Sequence, residues 1–169
     1  MLSLFLNWLS SLDYMVVSNE ARGAVNIVLF NWLAYLGVAP FVIGIAMEVT
    51  GYSIASIDGR LWFTAYSCVI LSFLCGIWWG GALNHDRHKH RVLLALLSNA
   101  IALIGWLALL FYRTPYALPV LALAFLFVER AEAFLKPNSS RLASYFKTRT
   151  HVSYLVIACH LIMFIALWR

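Results

Sequence analysis

Three sets of polar residues interrupt an otherwise apolar chain, and each is of a type that does chemistry. His85, Asp86, His88 and His90 form an H-D-x-H-x-H run, and neutral imidazoles at that spacing bind zinc or copper. Arg87, Lys89 and Arg91 interleave with them and repel a cation, and no cysteine is near. The run therefore reads as a solvated basic turn lying against anionic lipid headgroups, with no metal expected. The second set is Asn31, Asn99, Glu129 and Arg130, with Glu132 close by. Polar groups inside an apolar stretch are expensive, so each is a functional candidate; together they would line a polar cavity open to the cytoplasm. The simpler alternative is that the asparagines make interhelical hydrogen bonds of about 1 kcal/mol each. Glu129 and Arg130 would then sit at the membrane edge, with Arg149 or Arg141 as an ordinary ion-pair partner for Glu129. Among them Glu129 is the first to test, since Arg130 and Glu132 reach water more easily. The third candidate, His160, lies in the last apolar stretch, and no other stretch holds a histidine at its depth. Haem ligation by two histidines is not expected, and His160 reads as a packing residue bonded to a neighbouring helix.

The elements that must position these residues follow from composition. Of 169 residues 63% are hydrophobic and 11% charged, whereas a soluble domain carries about a quarter of its residues as charges. The chain reads as all-α, a polytopic membrane bundle of five transmembrane helices preceded by an N-terminal interfacial helix. Residues 1–23 form the interfacial segment, with Leu2, Phe5, Leu6, Leu9 and Leu12 on one side, and 24–169 form the five-span domain. The spans are about Ala24–Val49, broken by Gly37 and Pro40, then Leu61–Leu83, Val92–Tyr112, Tyr116–Phe134 and His151–Trp168. The residues between Lys136 and Thr150 read as a polar loop. A net charge of +5 belongs to the membrane edges and does not point to nucleic acid.

Leu61–Leu83 contains no charge and carries a second kind of information. Cys68, Ser72, Gly76 and Gly80 recur at four-residue steps, a small-residue stripe suited to close helix packing. Trp78 and Trp79 stand near its end, where an aromatic belt meets the headgroups. All three cysteines, Cys68, Cys75 and Cys159, lie in spans and read as buried packing thiols. Five spans place nine Lys and Arg on the N-terminal side and three, Arg60, Arg113 and Arg169, on the other. The positive-inside rule then expects the N-terminus inside and the C-terminus outside a bacterial inner membrane, with the mitochondrial inner membrane as the alternative.

Leu36-Gly37-Val38-Ala39-Pro40-Phe41, Tyr66, Ile70-Leu71-Ser72-Phe73-Leu74 and Gly76-Ile77-Trp78-Trp79-Gly80-Gly81-Ala82-Leu83 resemble the membrane family catalogued as domain of unknown function 3429. Tyr145-Phe146-Lys147-Thr148-Arg149-Thr150 is similar to the same pattern. The family occurs in bacteria and resembles a mitochondrial transmembrane protein; the resemblance implies the fold and carries no activity, cofactor or site. The sequence has no G-x-S-x-G, H-E-x-x-H or phosphate-loop motif. The expectation is a non-catalytic accessory membrane protein with no cofactor, associated with lipid, with a larger inner-membrane complex or with copies of itself. The alternative is a carrier of a small solute or ion using the cytoplasm-facing polar cavity; a lipid enzyme comes third.

Overall fold

The computed structural model describes residues 19–84, 90–135 and 143–168. They form six helices: α1 (Asn19–Leu36), α2 (Ala39–Thr50), α3 (Gly59–Asn84), α4 (Arg91–Leu110), α5 (Ala117–Leu135) and α6 (Ala143–Ala166). Residues 1–18 of the segment expected to be interfacial and the His85–Lys89 part of the histidine run lie outside the described residues. Helix α1 runs unbroken across position 23.

Proline has no N–H to donate and stops the α-helical ladder. Around Pro40 the apolar stretch therefore splits into two helices: Phe41 N donates to Val38 O at 3.1 Å, which leaves the Gly37 carbonyl without its helical donor. The Tyr66 hydroxyl of α3 donates to that carbonyl at 3.0 Å, and Trp62 Nε1 donates to Pro40 O at 3.1 Å. The break that proline creates is thus bonded to the next helix, and α2 is held against α3.

Glycines let that pair approach. A Cβ at Gly44 would lie 3.1 Å from the Phe63 Cβ, and one at Gly59 would lie 2.6 Å from Gly44 O and collide with Glu48 N. The Gly59 contact is with backbone, which cannot swing aside. We expect Gly59→Ala to lower stability by about 3 kcal/mol, the upper end for an overpacked site, read as a lower thermal midpoint in detergent. Between the helices, Ile54 and Ile57 exchange both backbone bonds around Ala55 and Ser56, each at positive φ, the backbone that a tight two-residue reversal demands. The Asp58 carboxylate then accepts from Leu61 N and caps α3.

Helix α3 packs most extensively on α4 and also on α2; α4 packs on α5, α5 more extensively on α6, and α6 returns to α1 and α2. The elements so close a ring, with α3 also touching α5 across it. At its centre one ring from each of four helices meets: Phe41, Phe63, Phe125 and His160, with centroids 4.8–6.5 Å apart. Away from the centre, Trp32, Phe73, Leu96, Leu123 and Ile165 face outward, an apolar exterior that water would not tolerate at this extent.

Among the described residues four helical stretches are long and apolar enough to cross a membrane: Val28–Thr50, Gly59–Leu83, Arg91–Leu110 and Lys147–Ala166. Helix α5 holds Glu129, Arg130 and Glu132 in its last two turns, too many charges to join them on composition alone. The last helix begins earlier than the sequence suggests. Residues 143–150, expected in a polar loop, are helical, and α5 supplies partners there for Arg149 and Thr150.

Candidate functional site

The described polar cluster lies where α5 packs against the start of α6. Glu129 and Glu132, three residues apart, share one face of α5, and α6 packs against it. Arg149 Nη1 donates to Glu132 Oε1 at 2.8 Å, and the Thr150 hydroxyl donates to Glu129 Oε1 at 2.8 Å. Both glutamates and Arg149 are buried, whereas Arg130 points outward. The ion pair expected for Glu129 thus belongs to Glu132, which is inside the bundle rather than near water. Arg149 keeps two buried donors, Nε and Nη2, that have no hydrogen-bond partner among the described residues.

The other expected cavity residues do not join this cluster. Asn99 is exposed and its amide donates to Ala95 O of its own helix at 3.0 Å. Asn31 is half-buried on α1 with its Oδ1 shielded from solvent and without a described partner. Arg130 lines a separate apolar groove between α4 and α5 with Leu97, Ile101 and Phe127. Among the described residues no group of three His, Cys, Asp or Glu side chains could hold a metal ion.

The small-residue stripe divides. Cys68 is buried and its thiol donates to Gly105 O of α4 at 2.9 Å, where Gly105 lets the Leu71 side chain approach. Ser72 and Gly76 face outward, Gly80 is half-buried, and neither glycine has an atom within 4 Å of an added Cβ. Geometry explains the division. A residue on an α-helix turns about 100° from the last, so four-residue steps advance the stripe by about 40° each. By Gly76 it has rotated about 80° away from the face that Cys68 presents to α4. The face that stays inward is Cys68, Leu71, Cys75, Trp78 and Ala82, all buried, alternating steps of three and four. It takes Trp78 wholly into the core and leaves Trp79 outside at 44% exposure. Of the two expected belt tryptophans, Trp79 alone stands on the surface.

His160 does bond a neighbouring helix. Its Nδ1 donates to Val156 O at 2.8 Å, which places the proton of the neutral ring there, and Nε2 accepts from the Ser67 hydroxyl of α3 at 3.1 Å. Serine and histidine so paired are also the parts of an activated nucleophile. Here Phe41, Phe63 and Phe125 enclose the ring, and Phe63 O, 2.8 Å from the Ser67 hydroxyl, is a second acceptor competing for its one proton. The pair stitches α3 to α6, and its burial leaves no surface on which a substrate would rest. Sequence reasoning missed Ser67 because nothing in its neighbourhood marks it out from other serines in apolar helices.

A helical ring with an apolar exterior and four helices of membrane-crossing length and composition defines an all-helical protein compatible with a membrane environment. The chain belongs to the family described as Protein of unknown function (DUF3429), which matches residues 28–165. No curated protein and no solved structure matches the chain.

Proposed function

We propose that the protein is a non-catalytic, multi-pass inner-membrane protein acting as an accessory subunit associated with lipid or with a larger membrane assembly. In this reading α5 is the fourth of five spans, its two buried carboxylates made tolerable by Arg149 and Thr150 of α6. The N-terminus is cytoplasmic and the C-terminus outside, as the basic residues favour; a mitochondrial inner membrane would keep the same polarity with the matrix in place of the cytoplasm. The observation that carries the reading is that the buried carboxylates and the buried histidine each have a partner within the chain, Glu132 in Arg149, Glu129 in Thr150 and His160 in Ser67. The outward run of Ser72 and Gly76 meanwhile has room for a close neighbour.

Gly76→Leu tests it. The substitution meets no atom inside the chain, so the thermal midpoint should stay within a few degrees. A complex seen in mild detergent, in contrast, should be lost or reduced about tenfold, the loss of roughly one close helix contact. An intact complex would count against the reading. The alternative, a small-solute or ion carrier, has the buried carboxylate of Glu129 in its favour. It requires Glu129→Gln to remove transport in proteoliposomes while protein level is unchanged.

A further inference from the structure

Beside the α5–α6 cluster lies a cleft of about 350 Å³ walled by α1, α2, α3, α5 and α6. Its floor is apolar and buried, with Phe41, Phe125 and Val156, and its rim of Phe30, Leu33 and Phe73 is exposed on the outside of the bundle. The wall contains a single charged residue, Arg149, which is only 5% exposed. A cation in an apolar wall is costly unless its donors are satisfied. One donor is: Nη1 holds Glu132. The opposite edge, Nε and Nη2, is buried and without a partner among the described residues.

That edge has a defined chemistry. Nε–H and the adjacent Nη2–H point the same way and take two oxygens of one carboxylate or phosphate side by side. A guanidinium serves two oxyanions at once, one on each edge, so Glu132 does not exclude a second. Depth narrows the choice. Arg149 lies two residues into the Lys147–Ala166 stretch, level with the headgroup zone of a bilayer, and the apolar floor continues from it along α6 toward Val156. An oxyanion at the membrane edge attached to a chain that runs inward describes a phospholipid.

We propose that this cleft binds one membrane phospholipid, its phosphodiester on the Nε and Nη2 edge of Arg149 and one acyl chain along Phe41, Phe125 and Val156. The site deepens the proposed association with lipid and rests on that reading of the chain as a membrane protein. Its test differs from the Gly76→Leu experiment: a complex can persist with the cleft empty, and the cleft can bind lipid in a chain that forms no complex.

Full-length protein in mild detergent would be offered dioleoyl phosphatidylglycerol, dioleoylglycerol or oleate, and the retained lipid counted by native mass spectrometry. The expected result is one phosphatidylglycerol per chain, with dioleoylglycerol, which lacks the phosphate, retained at least about tenfold less. Arg149→Lys keeps a cation for Glu132 but has no second edge, and should weaken retention by about tenfold or more. Ala34→Trp fills the cleft from α1 without touching the ion pair and should abolish retention, so the site stays testable even where the lysine variant misfolds. Equal retention of dioleoylglycerol, or retention unchanged by Ala34→Trp, overturns the site. Preferential retention of oleate overturns the phospholipid as its occupant.

Discussion

Arg149→Met alone is expected to destabilise the bundle by about 3–5 kcal/mol, the cost of leaving a buried carboxylate without its partner. Glu132→Gln made together with Arg149→Met is expected to recover most of that loss. The asymmetry follows from what the pair is. Glu132 and Arg149 meet at 2.8 Å with both side chains nearly shielded from solvent, so each had to shed its hydration before their attraction could offset the cost. Removing both removes the cost and the gain together; removing one keeps the cost. Thermal unfolding of the wild type, both single variants and the double variant forms a cycle whose coupling term should be large and of one sign. A double variant no better than Arg149→Met would mean that Arg149 acts on something other than Glu132, and its unpartnered Nε and Nη2 edge would be the place to look.

The same pair marks where the sequence was legible and where it was not. The uncharged stretch Leu61–Leu83 identifies its helix unaided, and α3 extends it by two residues at one end and one at the other. Pro40 announces a break, and the break is there. The charges of Lys147 and Arg149, in contrast, disguise the first turns of α6 as a loop, because a charge argues for solvent until its partner is known. The partner is in another segment, and only the register of two packed helices brings it near. Glu132 opposite Arg149 and Glu129 opposite Thr150 obey one such register, so the pairing was implicit in the spacing once α5 and α6 were taken as adjacent. His160 was recognisable as a residue that needs a partner, but not which one: Ser67 is 93 positions away, and no local pattern encodes that meeting. The polar cavity expected of Asn31, Asn99, Glu129 and Arg130 assumed that equal depth means a shared face. Depth is a coordinate along a helix and says nothing of rotation about it; Asn99 and Arg130 are turned outward.

Rotation also separates two tryptophans that stand side by side in the chain. Trp78 and Trp79 differ by about 100° around α3, which puts the first in the α3 inward row and the second on the surface at 44% exposure. Trp78→Ala is expected to cost about 3 kcal/mol, the low end for a buried tryptophan, because lipid is as apolar as the core and the loss is one of packing rather than of transfer from water. Trp79→Ala is expected to change stability by no more than about 0.5 kcal/mol, as at other surface positions. A third variant separates shape from hydrogen bonding. Trp78 Nε1 is buried with no partner among the described residues, so Trp78→Phe removes an unsatisfied donor while keeping much of the ring. It should cost well under half of what Trp78→Ala does. The three midpoints, measured in one detergent, test the rotation of α3 directly: equal effects at 78 and 79 would place both side chains at the membrane edge and would undo the inward row of Cys68, Leu71, Cys75, Trp78 and Ala82 on which the packing of α3 rests.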